Sequence, residues 1–241
     1  MDIHRPKPIR HWREFVGEVG IVVLGVLIAL GAEQAVSALE WRHKAAVAER
    51  SMRVELSRDD GPQLFIWLGA EHCQQEEATA VRDAVERGAG RSEVLKLADR
   101  VSAPAVTWDE LALRAAEASD VASHMPDGAM DGWFKAYSVM PDLDRQNDRI
   151  TNDGVELRAV SRTGGPLTPA ERDRLIHATE AFLEDDRRMA GMLNFEAEAM
   201  REIKVSIPAR LVRPALDDAQ RRHAGCRFEP PQGLLDGNLG E

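Results

Sequence analysis

The sequence is poor in aromatic residues and cysteines, and it has no long alternating strand pattern. Aromatic side chains make up 5% of the 241 residues, with one tyrosine, and there are two cysteines. Strands are enriched in aromatic and β-branched residues, and disulfide-stapled scaffolds need many cysteines, so neither class fits this chain. Alanine, leucine, glutamate and arginine are common instead, which favours helices.

Positive charge is in the minority. The chain has 31 Lys and Arg against 41 Asp and Glu, a formal net charge of −10. Such a surface repels phosphate backbones, so we expect no nucleic-acid partner. Hydrophobic residues at 44% and charged residues at 30% are typical of a folded chain. The length predicts one domain, or one domain with an appendage.

Recognisable catalytic motifs are missing. The sequence contains no nucleophile elbow, no phosphate-binding P-loop, no dinucleotide fingerprint and no His-Glu-x-x-His metal motif. We therefore predict a protein that is not an enzyme and that carries no cofactor and no metal ion.

The longest uncharged stretch lies near the N-terminus. It runs from Val19 to Ala32 and reads VGIVVLGVLIALGA. Extending it back to Phe15 adds one charged residue, Glu18. Trp12 and Trp41 bracket the stretch, about 44 Å apart along a helix, which is close to the thickness of a bilayer with its headgroups.

These features predict a transmembrane helix over residues 15–40, preceded by a short cytoplasmic tail, residues 1–14. A buried core helix would keep a polar stripe, whereas Gly20 to Ala32 is apolar all round. A helix lying in the membrane interface would need a charged face, which is absent. A cleaved signal peptide ending near Val36-Ser37-Ala38 stays open as an alternative.

Basic residues flank the span in nearly equal numbers. They are Arg5, Lys7, Arg10 and Arg13 before it, and Arg42, Lys44, Arg50 and Arg53 after it. The terminal amine adds positive charge before the span, and acidic residues are interleaved with the basic residues after it. The excess of positive charge before the span favours an N-terminus in the cytoplasm. We therefore expect a single-pass protein of the bacterial inner membrane with its soluble domain in the periplasm.

Small residues recur along one face of the predicted span. Gly25, Ala29 and Ala32 follow a four-three step, which places them on one side of a helix. Such a seam lets two membrane helices approach closely. It predicts a homodimer formed through the transmembrane helix.

The N-terminal segment reads His11-Trp12 through Glu14-Phe15, then Glu18 to Val36 (EVGIVVLGVLIALGAEQAV), then Trp41-Arg42. This pattern resembles the start of a family of uncharacterised single-span bacterial membrane proteins. Thr107 to Leu111 (TWDEL), followed by a helix with Tyr137, is similar to a downstream pattern of the same proteins. The resemblance implies a Gly-rich anchor followed by a helical soluble region, and it carries no catalytic residues.

Residues 41–205 form the soluble part, and their pattern predicts an up-down helical bundle of about four long helices. Gly61-Pro62 predicts the end of the helix that leaves the membrane, and Pro141 predicts a kink or a split in a later one. Capping boxes are predicted at Thr107 and at Thr168. Residues 206–241 are rich in Pro and Gly and predict an irregular C-terminal tail, with one short helix and an extended segment.

The two cysteines, Cys73 and Cys226, are the remaining candidates for chemistry. In an oxidising compartment we expect a disulfide between them, which would fasten the tail to the second helix of the bundle. Two buried free thiols are an alternative. A zinc site that adds His72 and His223 is another, although the spacing matches no usual zinc motif.

The sequence therefore predicts a membrane-anchored extracytoplasmic helical domain with a non-enzymatic role in protein interaction or scaffolding, and a protein partner that the residues do not identify. A ligand-sensing bundle that acts through a partner is the first alternative. An enzyme whose site forms from scattered residues is the second.

Overall fold

A computed structural model of the chain describes residues 12–104, 106–126, 128–160, 162, 164–223, 226, 228, 231 and 233–236. The fold is all-α, as predicted. The helices are α1 (Trp12–Glu55), α2 (Gly61–Glu86), α3 (Arg91–Ala98), α4 (Leu111–Ala118), α5 (Ala129–Tyr137), α6 (Met140–Arg158), α7 (Pro169–Glu202) and α8 (Ala209–Arg222). A π-helical turn covers Leu56–Asp60, a 3-10 turn covers Ala122–His124, and two short strands are β1 (Ile207–Pro208) and β2 (Leu235–Asp236).

The first two helices form one helical run, so the predicted stop at Gly61-Pro62 is wrong. The run covers 72 residues from Phe15 to Glu86. A proline lacks the amide donor and clashes with the carbonyl one turn earlier, which disrupts a regular helix. Here the preceding turn widens into a π-helix, in which Gly61 N–H donates to Leu56 O, and the proline falls in the first turn of α2. The chain therefore continues in a helix where a reversal was expected.

Helix α7 lies at the centre of the domain and packs against α2, α5 and α6. Gln75 donates to Asp186 across 3.1 Å, and Arg82 donates to Glu180 across 3.2 Å. Because the residue numbers rise along α2 as they fall along α7, the two helices are antiparallel. Large fully buried side chains fill the core around them: Leu64, Trp67, Tyr137, Ile150, Leu157 and Phe182.

The start of α7 confirms the predicted capping box. Glu171 N–H donates to Thr168 Oγ1 across 3.3 Å, and Thr168 N–H donates to Glu171 Oε2 across 2.8 Å. Pro169 occupies the first turn, where a missing amide hydrogen costs nothing. The predicted split at Pro141 is also present, because α5 ends at Tyr137 and α6 begins at Met140.

The region predicted as an irregular tail contains a helix and a strand pairing. In α8, Val212, Leu216 and Ala219 are buried at helical spacing, and α8 packs on α2. Strand β1 then pairs in parallel with β2, and Ile207 N–H donates to Leu234 O across 2.7 Å. The short helix predicted in this tail is present as α8, and its buried face outweighs the penalty of Pro214 inside the helix.

Candidate functional site

The N-terminal part of α1 lies outside the folded domain. Its apolar window has a mean hydropathy of 2.4 and no residue buried, so one helix long and apolar enough to cross a membrane is present near the N-terminus. Gly25, Ala29 and Ala32 are exposed, and a Cβ added at Gly25 would meet nothing within 4 Å. The predicted seam is therefore free of contacts within the described part of the chain.

The C-terminal part of the same helix packs on the domain without a linker. The Trp41 ring stacks on His124 with ring centroids 3.8 Å apart, and Lys44 Nζ lies 4.5 Å above Trp41. Farther along, Arg53 donates to the carbonyl of Lys204 across 2.9 Å. Contacts at both ends of this section hold α1 in a fixed direction relative to the domain.

A shallow apolar groove of about 430 Å³ runs between α1 and α4. Small side chains line it, and they are Val47, Ala48, Ser51, Ala112, Ala115 and Ala116. The end of the groove nearer Trp41 has Lys44 at its edge. The volume lies within the range of small-molecule sites, about 300–1,000 Å³, and the small residues leave room for a helix to approach.

Helix α4 does not begin at the predicted cap. Thr107 makes no capping bond to it, and α4 starts four residues later, at Leu111. The Glu55 carboxylate of α1 accepts the N–H of Ala112 instead, at 3.0 and 3.2 Å. A side chain from a distant helix thus satisfies an amide that a local cap would otherwise take.

Three acidic side chains meet where α1 passes into α2. We call Glu55, Asp60 and Glu196 the junction cluster. Asp60 Oδ1 accepts the N–H of Asp109 across 3.2 Å, and Tyr137 O–H donates to Glu55 Oε1 across 2.8 Å. All three carboxyl groups are buried, with exposed fractions of 9%, 1% and 0%.

Several cluster oxygens have no hydrogen-bond partner. They are Oδ2 of Asp60 and both carboxyl oxygens of Glu196. Burial is the main cause that raises the pKa of Asp60 to about 8, and the Glu55 charge adds to it while the Asp109 amide opposes it. Burial, with Asp60 nearby, raises the pKa of Glu196 well above its usual value. Asp60 and Glu196 therefore retain their protons at neutral pH.

A further buried carboxyl group outside the junction cluster, that of Asp186, lies nearer the start of α7 than Glu196 does. Asp186 is fully buried and accepts one hydrogen bond from Gln75, which also donates to Glu71 across 3.0 Å. Burial raises the pKa of Asp186 to about 7. Asp60 accepts the backbone amide of Asp109, whereas among the described residues Asp186 accepts only the Gln75 side chain.

The structure joins Cys73 to Cys226 in a disulfide, with the two Cα atoms 5.6 Å apart. Beside it, His223 Nδ1 lies 3.0 Å from Glu77 Oε2 in a buried pair. The zinc alternative needed these sulfurs and His223 as ligands, and here each has another partner. Within the residues described, no three His, Cys, Asp or Glu side chains are arranged to hold a metal ion.

The Phe228 ring of the tail packs closely on α2 at Gly69, which has no side chain. A Cβ built at Gly69 would lie 1.9 Å from the Phe228 ring, so only glycine allows the ring to rest there. The ring also contacts Phe65, with centroids 6.3 Å apart. The disulfide, the Glu77–His223 pair and this contact fasten the tail to one side of α2.

Sequence reasoning missed the junction cluster, although part of its signal was present. Met189, Leu193, Glu196 and Met200 recur at helical spacing, which puts Glu196 on the buried face of α7. Leu56, Asp60 and Leu64 keep the same spacing only if the helix is followed through Gly61-Pro62. Because the helix was expected to end at Gly61-Pro62, this spacing was not recognised.

Comparisons of the chain with protein-family models, with curated proteins and with solved structures find no significant match.

Proposed function

We propose that this chain is a single-span membrane protein whose helical domain is held rigidly at the membrane surface and acts in protein interaction rather than catalysis. One observation carries the proposal: a single helix, α1, is apolar and exposed along residues 15–40 and packed on the domain along residues 41–55. An exposed apolar face of this length is stable in lipid and unfavourable in water.

The proposed compartment is the periplasm of a bacterial cell, with the N-terminus in the cytoplasm. The Cys73–Cys226 disulfide supports an oxidising compartment for the domain. The resemblance of the N-terminal segment to single-span bacterial proteins supports the inner membrane as the site of anchoring.

Reporter fusions at both ends test anchoring and orientation together. An enzyme reporter active only in the periplasm should be active at the C-terminus and inactive at the N-terminus. Alkaline carbonate extraction of the same cells should leave the protein with the membranes. Activity at the N-terminus, or release by carbonate, would contradict the proposal.

A second copy of the chain is the proposed partner within the membrane. Gly25, Ala29 and Ala32 form an uncovered small-residue seam, and membrane helices associate through such seams. The groove between α1 and α4 adds an apolar surface for a further protein partner above the membrane. The net charge of −10 argues against a nucleic-acid partner.

Leucine substitutions on two sides of the span test the dimer. Gly25→Leu blocks the seam, whereas Gly31→Leu adds the same bulk on a different side of α1. Energy transfer between labelled copies in membranes should fall several-fold for Gly25→Leu and stay at the wild-type value for Gly31→Leu. Equal effects of both variants would remove the seam from the proposal.

A further inference from the structure

Among the described residues, the junction cluster has no cation that would neutralise its carboxyl groups when they ionise. In the described part of the chain, no Lys, Arg or His side chain is paired with any of its three carboxyl groups. Arg53, which precedes Glu55 by two residues, donates to the carbonyls of Ile203 and Lys204 and to Glu49 instead. Because an isolated charge in an apolar interior is very unfavourable, a fully buried carboxyl without a donor stays neutral by keeping a proton.

The titratable groups that act on Asp60 and Glu196 come from several elements. They are Glu55 of α1, Asp59 of the π-helical turn, Asp109 before α4 and, beside all three members of the cluster, Tyr137 of α5. The side chain of Ile207, which approaches Gly61 from β1, is apolar. Ionisation of Asp60 and Glu196 would therefore add repulsion that no paired cation offsets within the described residues.

The same cluster fastens the start of α4. Glu55 accepts the amide of Ala112, and Asp60 accepts the amide of Asp109. The residues just before them are held independently, because Asp144 accepts the amide of Trp108 across 3.0 Å and Asn147 donates to the carbonyl of Val106 across 3.1 Å. Movement of Glu55 and Asp60 would thus free residues 109–118 and leave residues 106–108 in place.

We propose that the junction cluster is a proton switch: with protons on Asp60 and Glu196, α4 stays docked on α1, and when both ionise, repulsion among the three carboxylates separates them and releases residues 109–118. The switch lies at the π-helical turn between Glu55 and Gly61, an irregularity of the kind that is frequent at functional sites in helices. Since α4 forms one wall of the groove, the switch also opens and closes that surface. The inference does not depend on the membrane role.

Hydrogen exchange of the full chain in detergent, measured by mass spectrometry between pH 6 and pH 9, tests the switch. Rates are corrected for the intrinsic pH dependence of exchange. In the wild-type protein, protection of peptides within residues 109–118 should fall at least tenfold from pH 7 to pH 9. Protection of residues 106–108 and of α6 should change less than twofold.

Variants that cannot ionise identify the group responsible. Glu196→Gln and, separately, Asp60→Asn keep the size of the side chain, and the Asn Oδ1 can still accept the Asp109 amide. Either variant should keep residues 109–118 protected at pH 9. Asp186→Asn removes a buried carboxyl of α7 outside the cluster and should retain the wild-type loss of protection.

Two outcomes would overturn the switch. One is a wild-type protection profile that does not change with pH in residues 109–118. The other is a loss of protection that persists in both Glu196→Gln and Asp60→Asn, each shown to be folded by its circular dichroism. The use of two separate variants keeps the test decisive if one of them fails to fold.

Discussion

The two halves of α1 differ in where their apolar side chains lie, although they belong to one uninterrupted helix. Along residues 15–40 the side chains are exposed, and none is buried by the rest of the described chain. Along residues 41–55 the helix buries Ala45 and Met52 and, at its end, the carboxylate of Glu55. The difference indicates that the surroundings change along the helix: the first half is suited to lipid and the second to a protein core.

The largest effect is expected from charge placed in the first half. Leu24→Arg combined with Leu27→Arg puts two guanidinium groups near the middle of the span, at a cost of about 2.5–3.5 kcal/mol each for membrane insertion. The protein should move from the membrane fraction to the soluble or aggregated fraction in carbonate extraction. Leu24→Val with Leu27→Val is the control and should stay membrane-bound.

Loss of the disulfide should lower the stability of the folded domain and leave membrane association unchanged. Cys73→Ala with Cys226→Ala opens a loop with a sequence separation of 153 residues and should lower the free energy of unfolding by about 2–5 kcal/mol. Urea unfolding of the protein in detergent measures the loss. The share of protein in the membrane fraction should not change, and a change would mean that the two regions are not independent.

Two glycines on the same helical run should respond differently to alanine. A Cβ at Gly61 would lie 2.6 Å from Leu56 O and 2.7 Å from Ile207 Cγ1, so Gly61→Ala should lower the free energy of unfolding by about 1–3 kcal/mol. A Cβ at Gly31 meets nothing within 4 Å, so Gly31→Ala should be neutral or slightly stabilising. Equal responses in urea unfolding would contradict the contrast between the exposed and the packed parts of this helical run.

The smallest effect concerns the pH dependence of stability. Because the pKa of Asp186 is raised to about 7, the folded protein binds a proton more tightly than the unfolded chain. This contribution is fully present below the unfolded pKa of about 3.9 and is lost as the pH rises to about 7. Asp186→Asn should reduce the slope of unfolding free energy against pH by about 1 kcal/mol per unit between pH 5 and pH 7. An unchanged slope in urea titrations would contradict the assignment.

Local patterns predicted the elements whose signals are short in sequence. The Thr168 cap, the break at Pro141 and the apolar stretch before Trp41 each depend on a few neighbouring residues, and the structure contains all three. The cap predicted at Thr107 was wrong: α4 starts at Leu111, and Glu55, distant in sequence, accepts the amide of Ala112 in its first turn. The junction cluster was missed because its members come from helices that only folding brings together.

By itself, the sequence determined the helical class, the exposed apolar segment and the boundary at which polarity begins. Those properties follow from composition and from the period of hydrophobic residues, which act locally along the chain. Tertiary structure decided that the helical run continues from α1 through Gly61-Pro62 into α2. It also decided that a distant carboxylate accepts an amide in the first turn of α4 and that three acidic side chains are buried together. The physical reason is that burial and hydrogen bonding between remote segments outweigh the small local preferences of a proline or a threonine.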